Sequence, residues 1–344
     1  MNDLFWKVPL PIDTSTLTHL NLEPTIKEIL FRRGFSDNLA IDSYLEPTDL
    51  PDPRLHFPDL EKAVSRIIMA IKSKEPIAIC GDYDADGMTS VALLVDILKK
   101  LQAIPLPIIP SRLDEGYGLN ESIVERAKSE GVSLLITVDN GVSAYSALQR
   151  AKALGIDVVL TDHHKITRKI DNIFALIHPS TTPVNSPYRV IAGVGVTYIL
   201  AESIALALSS PEALSISRDL LCIGTVADMS ELTGANRYWL KKWIVYIKDT
   251  KSLGLKGLLK NAKVDNKVIS SQDISFKIAP RINSIGRIDD PKLIVDLLLE
   301  TNKDLLENKL KDCEEINKRR KLICLTVEKE ALSILEKSSE KIRS

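Results

Sequence analysis

Cysteine is scarce in this sequence, and the few cysteines present follow no ligand or disulfide pattern. The chain of 344 residues has four of them, Cys80, Cys222, Cys313 and Cys324, with no C-x-x-C pair. A disulfide-rich secreted domain and a thiolate zinc site both need denser or paired cysteines. Their absence favours a reducing compartment with buried structural thiols.

Long apolar runs are also missing. No run approaches the roughly 18 residues that cross a bilayer, and residues 1–7 lack the basic start and apolar centre of a signal peptide. We therefore expect a cytoplasmic protein with no membrane partner. The sequence points to no particular protein partner.

An excess of charge of either sign is absent as well. Lysine and arginine number 45 against 46 acidic residues, so the formal net charge is -1. A uniformly basic surface is therefore excluded, and any nucleic-acid partner must be held by local basic patches. Internal repeats and low-complexity tracts are lacking too. The 44% apolar content supports a buried core.

Short apolar runs alternate with segments of helical periodicity from about residue 76 to residue 177. The predicted strands are 77–80, 107–110, 134–138, 156–160 and 174–177. The helical segments between them are 89–101, 120–130 and 143–154. This alternation predicts an α/β fold, with a mostly parallel sheet and flanking helices on both faces.

Beyond about residue 192 the strand pattern stops. Helices are predicted at 196–208, 214–226, 239–247 and 291–299, followed by a long charged amphipathic tail. We expect four parts: a helical N-terminal extension at 1–70, an α/β core at 71–240, a helical part closing it at 241–300, and a long connecting helix at 301–344.

Three polar clusters directly follow predicted strands. They are Gly81-Asp82-Tyr83-Asp84-Ala85-Asp86-Gly87, Asp139-Asn140-Gly141 and Asp162-His163-His164. Ligand sites in parallel sheets lie beyond the carboxyl ends of the strands, so the clusters are expected to face one crevice. So many carboxylates would repel one another unless cations were bound between them. We interpret the set as a divalent metal site.

Each cluster alone has a simpler interpretation. The first resembles a D-x-D-x-D-G calcium loop, but Leu93 stands where that loop needs an acid, and a solvated acidic turn is the other alternative. Asp139-Asn140-Gly141 fits a tight turn, and Asp228 in Gly224-Thr225-Val226-Ala227-Asp228 fits a helix end. Carboxylates mixed with imidazoles suit Mn²⁺ or Mg²⁺ better than zinc.

With Asp228 included, the acids suffice for two metal ions. Paired divalent ions activate water and stabilise in-line displacement at phosphorus, so phosphoester hydrolysis is the leading chemistry. Residues 111–120, with Arg112 and Tyr117, and residues 280–287, with Arg281, offer contacts for phosphate oxygens and a stacked base. Surface salt bridges are the alternative explanation for each arginine.

The order of these motifs resembles that of the DHH phosphoesterase superfamily. Residues 81–87, 138–141, 161–164 and 224–228 look like its four motifs. Residues 112–120 and 279–287 are similar to segments of the RecJ-like branch, whose members are 5′-to-3′ exonucleases specific for single-stranded DNA. The resemblance runs from about residue 20 to about residue 330.

The resemblance implies a site of two Mn²⁺ or Mg²⁺ ions. Asp84, Asp86, Asp139 and Asp228 would coordinate them, with Asp82 close by and His163 as a ligand or near-ligand. His164 would orient the scissile phosphate, so Asp162, His163 and His164 form the catalytic set that we expect. The resemblance also implies substrate contacts from Arg112, Tyr117, Arg281, Asn283 and Arg287.

The function implied is that of a metal-dependent single-stranded-DNA exonuclease in DNA repair and recombination. RecJ-like chains continue past the long helix into a DHH-associated domain and usually an OB fold, so we expect an incomplete DNA clamp here. Two alternatives remain. One is a phosphodiesterase of the same superfamily acting on short oligonucleotides, cyclic dinucleotides or pyrophosphate, and the other is a weakly active DNA-binding fragment.

Overall fold

The computed structural model describes residues 9–10, 12–13, 15, 17, 21–112, 116–265 and 268–343, with side chains as far as residue 336. The chain divides into two compact units, Met1–Leu50 and Pro51–Ser344. The first unit contains α1 (Pro24–Arg32) and α2 (Asn38–Leu45). The Asp37 carboxylate caps α2 by accepting a hydrogen bond from Ala40 N at 2.8 Å. The apolar core of this unit is formed by Leu17, Leu30 and Ile41.

The second unit is built around a five-stranded parallel sheet. A 3-10 helix, Pro53–Leu55, is followed by α3 (Leu60–Ser73). The strands are β1 (Pro76–Cys80), β2 (Ile104–Ile108), β3 (Leu134–Val138), β4 (Asp157–Thr161) and β5 (Ala175–Ile177). The strand order is β2-β1-β3-β4-β5, and each neighbouring pair is parallel. The predicted α/β class with a mostly parallel sheet is therefore confirmed.

The register of the sheet brings the carboxyl ends of its central strands level. Cys80 of β1 pairs with Thr137 of β3, and Val138 at the end of β3 pairs with Thr161 at the end of β4. The turns that follow these three strands therefore start side by side. This edge of the sheet carries all three polar clusters predicted from the sequence.

β2 starts at Ile104, three residues before the start of the predicted strand 107–110. The strand contains Pro105 and Pro107. In a sequence, proline argues against a strand because it donates no backbone hydrogen bond. β2 is an edge strand that pairs only with β1, so its other side tolerates the missing donors. An edge position is visible only once the strand order is known.

Helices cover both faces of the sheet. These helices are α4 (Ala85–Lys100), α5 (Glu121–Ser129), α6 (Tyr145–Ala153) and α7 (Gly193–Ala207). α5 and α6 pack with one face of the strands in a cluster that includes Cys80, Leu135 and Leu160. α4 lies against the other face together with α7, and nearly all of its residues are buried.

After α7, the described part of the chain contains helices and loops but no strand. The remaining helices are α8 (Ser217–Ala227), α9 (Gly234–Trp243), α10 (Leu253–Asn261), α11 (Ser271–Asp273), α12 (Ala279–Ile288), α13 (Lys292–Leu298) and α14 (Lys303–Arg343). A 3-10 helix, Ile244–Asp249, follows α9, and a π-helical segment, Ile274–Ile278, leads into α12.

α10 and α12 were not among the helices predicted from the sequence. Gly254 and Gly257 interrupt the apolar pattern of α10, and Pro280 stands in the first turn of α12, where proline is tolerated. α14 is one helix of 41 residues. Among the described helices, none combines the length and the apolar character needed to cross a bilayer.

Candidate metal centre

The turn from β1 into α4 presents three aspartates. Asp84 caps α4, since its Oδ1 accepts hydrogen bonds from Asp86 N (2.9 Å) and Gly87 N (3.0 Å). Gly87 is required because a Cβ at this position would lie 2.6 Å from the carbonyl oxygen of Asp82. Burial, followed by the negative charge of Asp84, raises the pKa of Asp82 to about 7. The turn thus gathers carboxylates that repel one another.

Asp86, in the first turn of α4, is fully buried and fixed at both oxygens. Gly193 N donates to its Oδ2 at 2.7 Å and Val194 N donates to its Oδ1 at 2.8 Å. These amides belong to the start of α7, where backbone donors have no partner within the helix. Burial and then the charges of Asp228 and Asp84 hold the pKa of Asp86 well above its usual range.

Asp139 follows β3 in a left-handed backbone conformation, with φ of 61°. It is buried, and its Oδ1 lies 3.1 Å from His163 Nε2. Within the described residues, neither atom makes a hydrogen bond. A Cβ on Gly193 would lie 2.5 Å from this Oδ1, so glycine is needed there. Burial, then the charge of Asp86, raises the pKa of Asp139 strongly.

Asn140 ties together the elements around the cluster. Its Nδ2 donates to the carbonyl oxygens of Cys80 and Val138, both at 2.9 Å, and so joins the ends of β1 and β3. Its Oδ1 accepts a hydrogen bond from Leu119 N at 3.0 Å. The Asn140 side chain therefore also supports the loop that carries Tyr117.

Asp162 orients the histidine pair. Its Oδ1 accepts hydrogen bonds from His163 N (2.7 Å), His164 N (3.0 Å) and His164 Nδ1 (2.8 Å), and its Oδ2 accepts one from Val142 N (3.0 Å). Burial acts to raise the pKa of Asp162, but the hydrogen bonds from His164 outweigh it and keep the pKa below its usual range. The same contact raises the pKa of His164 to about 8.

His163 and Asp228 complete the cluster. His163 Nε2 lies 3.7 Å from Asp86 Oδ2 and 3.9 Å from Asp228 Oδ1. Burial lowers the pKa of His163, which favours the neutral imidazole that a metal ion needs. Asp228 follows the last residue of α8, and its Oδ2 accepts a hydrogen bond from Ser230 Oγ.

The donor atoms form three overlapping triads. They are Asp82, Asp84 and Asp139; Asp86, His163 and Asp228; and Asp139, His163 and His164. Within each triad the donor atoms lie within 4.8 Å of one another. Carboxylate oxygens with imidazole nitrogens suit Mn²⁺ or Mg²⁺. The buried Asp139 Oδ1 and His163 Nε2 carry a desolvation cost that a cation between them would offset. The residues therefore fit divalent ions of this kind.

Aromatic rings lead outward from this cluster. The Tyr117 ring stands edge-on to His164, with centroids 6.2 Å apart, and edge-on to Tyr83 at 5.9 Å. The exposed Arg112 holds its guanidinium carbon 5.5 Å from the Tyr83 ring centroid. Arg112 and Tyr117, both predicted substrate contacts, thus lie next to the predicted metal ligands.

α12 packs against the acidic turn. Asn283 Oδ1 accepts a hydrogen bond from Ala85 N at 2.7 Å, and a Cβ on Gly286 would lie 1.7 Å from the carbonyl oxygen of Tyr83. Asn283 therefore supports the start of α4, a role that the sequence analysis did not predict. Arg287 is exposed on the same helix, one residue after this contact.

The structure does not bring Arg281 into the cluster. Its Nε donates to Glu314 Oε1 of α14 at 2.5 Å, its Nη1 to the carbonyl oxygen of Lys277 at 2.6 Å, and its Nη2 to that of Asn261 at 3.3 Å. Arg281 thus links α12 to α14, and its predicted contact with DNA stays a prediction.

The backbone donors of Gly193 and Val194 were also missed. Amide groups leave no side-chain signature, but the run Gly193-Val194-Gly195 at the start of a predicted helix was an available signal. Glycine at a helix start often permits the close approach of another group.

Comparison with known proteins gives one consistent family. Residues 76–225 match the model described as "DHH family, N-terminal domain". The chain is 34% identical over 336 residues to the single-stranded-DNA-specific exonuclease RecJ of Bacillus subtilis (strain 168), a match that covers 96% of this chain and 42% of that protein.

Solved structures agree with this result. The fold is similar to that of exonuclease RecJ bound to manganese, with a TM-score of 0.74 and 29% identity over 83% of this chain and 71% of that one. It is also similar to RecJ in complex with Mg²⁺ from Thermus thermophilus, with a TM-score of 0.68 and 26% identity over 92% of this chain and 42% of that one.

The chain spans about half the length of the curated relatives that it matches. The matched segment 76–225 includes the strands β1, β3 and β4 and the three turns that carry the acidic and histidine clusters. Since the similarity to RecJ exonucleases also extends over nearly the whole chain, the chain contains a DHH-family N-terminal domain and is RecJ-like over nearly its whole length.

Proposed function

We propose that this chain carries the catalytic site of a metal-dependent exonuclease that hydrolyses single-stranded DNA from its 5′ end, in DNA repair and recombination. The observation that carries the proposal is the set of three overlapping donor triads at the carboxyl edge of the sheet, with Tyr117 and Arg112 next to it. A cytoplasmic location belongs to the same proposal.

The metal-binding role is assigned to Asp82, Asp84, Asp86, Asp139, His163 and Asp228. Two Mn²⁺ or Mg²⁺ ions, when bound, supply an activated water and stabilise charge at the phosphorus. The chain holds the ligands rigidly, because Asp84 is fixed by helix capping and Asp86 by two amides of α7. Such fixed ligands cost little reorganisation during the reaction.

Asp162 and His164 are assigned to the scissile phosphate. The Asp162 carboxylate accepts from Nδ1 of His164, which leaves Nε2 as the nitrogen that meets the substrate. The side chain of His164 is 47% exposed, whereas that of His163 is 17% exposed. This difference supports a substrate contact for His164 and a ligand role for His163.

The strand is proposed to leave the metal centre along Tyr117 and Arg112. Tyr117, which is 45% exposed, offers one stacking surface, and the exposed Arg112 offers one phosphate contact. Arg287, exposed on α12 close to Tyr83, is a further proposed phosphate contact. Asn283 lies on α12 about one helical turn before Arg287. Its side chain supports the acidic turn through Ala85 N, and its predicted contact with DNA would come from the same helix as that of Arg287.

A nuclease assay tests the proposed function. A single-stranded 20-nucleotide DNA labelled at its 5′ end in one sample and at its 3′ end in another should lose only the 5′ label at early times, with Mn²⁺ present. EDTA should stop the reaction, and the matching duplex should be a poor substrate. Faster hydrolysis of a cyclic dinucleotide or of pyrophosphate than of DNA would contradict the proposal and favour the other DHH activities.

Arg112→Ala is expected to weaken binding of single-stranded DNA. One phosphate contact fewer should reduce the slope of log affinity against log salt concentration by about 0.7. The measurement is fluorescence anisotropy of a labelled oligonucleotide over a potassium chloride series. Lys128→Ala, which removes an exposed charge from α5, is the matched control. Equal slopes for the two variants would remove Arg112 from the substrate path.

A further inference from the structure

A basic and aromatic surface lies at the end of α8 that is farther from Asp228. The segment 237–251 runs from α9 through the 3-10 helix Ile244–Asp249. Its basic residues are Arg237, Lys241, Lys242, Lys248 and Lys251, against the single acid Asp249. The segment also holds the partly exposed Trp243, whereas Trp239 is buried in the core.

A cavity of about 490 Å³ opens on this surface. Trp243 lies in its wall, and the guanidinium carbon of the exposed Arg218 stands 4.9 Å from the centroid of the Trp243 ring. Trp243 also packs on Tyr198, with ring centroids 5.5 Å apart. Tyr246 lines the same cavity and is 62% exposed. The cavity thus combines two planar rings with a guanidinium that is held over one of them.

Cations dominate the accessible charge of the cavity. Arg218, Lys242 and Lys251 line it and are exposed. Of the two acids in its lining, Glu212 is exposed, whereas Asp219 is 8% exposed. The Lys242 ammonium donates a hydrogen bond to the Tyr238 hydroxyl at 2.6 Å, which positions it at the rim. Aromatic rings interleaved with lysine and arginine are typical of surfaces that bind unpaired nucleic acid.

The chemistry of the surface selects its ligand. Bases stack on tryptophan and tyrosine whatever their sequence, and guanidinium and ammonium groups neutralise phosphates. An acidic peptide would satisfy the cations but would offer no regular series of planar groups to the rings. A strand of alternating phosphates and bases fits both features.

We propose that this surface, which we call the Trp243 surface, is a second contact for single-stranded DNA. Arg218 and Asp228 lie at opposite ends of α8, ten residues apart, which corresponds to about 15 Å along the helix. This distance equals roughly four to five nucleotides at the ~3.4 Å spacing of a stacked strand. A long strand can therefore touch both places, and a very short one cannot. The inference takes its substrate class from the proposed function and adds a separate site to it.

Binding measured without catalysis tests the Trp243 surface. In EDTA, the affinity for a labelled 20-nucleotide oligothymidylate is determined by anisotropy over a potassium chloride series. Replacing Lys242 and Lys251 together by Ala should reduce the salt slope by about 1.4, because two phosphate contacts are lost. Tyr246→Ala should weaken binding about tenfold through the loss of one stacked base, and Tyr246→Phe should restore it.

The matched control removes two exposed lysines from elsewhere, Lys72 and Lys128. Circular dichroism melting establishes that all variants are folded. A two-nucleotide oligomer should bind the variants and the control alike, since it is too short to span both places. If the 20-nucleotide strand shows the same slope and affinity with the double variant as with the control, the proposal is overturned.

Two other results separate this inference from the proposed function. Binding of a glutamate-rich peptide that depends on Lys242 and Lys251, with DNA binding unchanged, would assign the surface to a protein and overturn the inference. Absence of DNA hydrolysis by the unaltered chain in Mn²⁺ would contradict the proposed function, whereas the binding result in EDTA does not depend on hydrolysis.

Discussion

Asp139→Ala is expected to reduce hydrolysis of single-stranded DNA by about 10³-fold or more, because a lost metal ligand removes several kcal/mol of charge stabilisation at the phosphorus. Asp139 belongs to the triad with Asp82 and Asp84, and its Oδ1 also faces His163 Nε2 at 3.1 Å. The substitution therefore disturbs both proposed ion positions at once. The rate is measured under saturating DNA in Mn²⁺.

The fold should survive this change. Asp139 Oδ1 makes no hydrogen bond within the described residues, so its removal leaves no donor unsatisfied. Asp312→Ala, which alters an exposed acid on α14, is the control for a charge change remote from the sheet. A hydrolysis rate for Asp139→Ala within a few-fold of that of this control would show that Asp139 is not a metal ligand required for hydrolysis.

Metal binding should stabilise the protein measurably even in the absence of substrate. A free concentration of Mn²⁺ equal to 100 times the dissociation constant adds about 2.7 kcal/mol to the free energy of unfolding for one ion. For a chain of 344 residues, this corresponds to a rise in Tm of roughly 4 °C, at about 2.1 cal/mol/K of unfolding entropy per residue. Differential scanning calorimetry with Mn²⁺ and with EDTA measures it.

The physical reason for this stabilisation is the repulsion among buried acids. Burial raises the pKa values of Asp86 and Asp139 well above their usual range, so the metal-free cluster is destabilised when both are ionised. Asp139→Asn removes one of these charges. We expect this variant to melt higher than the unaltered chain in EDTA at neutral pH and to show a smaller rise with Mn²⁺. Identical melting curves with and without Mn²⁺ for the unaltered chain would contradict the assignment.

The sequence predicted the positions that follow from strand periodicity. Asp82, Asp139 and Asp162 come directly after buried runs, and parallel strands in register must bring such positions to one edge. For this reason the composition of the cluster was predictable without coordinates. From the residues alone, Asp228 was an even choice between a metal ligand and a helix-end aspartate, because helix α8 carries no periodic signal that points to the sheet edge; the family resemblance favoured the ligand.

Other features depended on contacts between distant segments. Arg281 pairs with Glu314, 33 residues away, and the sequence gives no hint of which acid an arginine will meet. The support of the acidic turn by Asn283 joins residues 198 positions apart. The start of β2 was misplaced because local proline content cannot reveal whether a strand lies at an edge.

Two contacts of α12 have a mechanical consequence. Arg281 fastens this helix to α14 through Glu314, and Asn283, two residues later, fastens it to the amide that begins α4. At Gly286, α12 approaches the backbone of Tyr83 so closely that there is no space for a Cβ. These contacts therefore make one turn of α12 a direct mechanical connection between α14 and the backbone at the start of α4, next to the aspartates of the acidic turn.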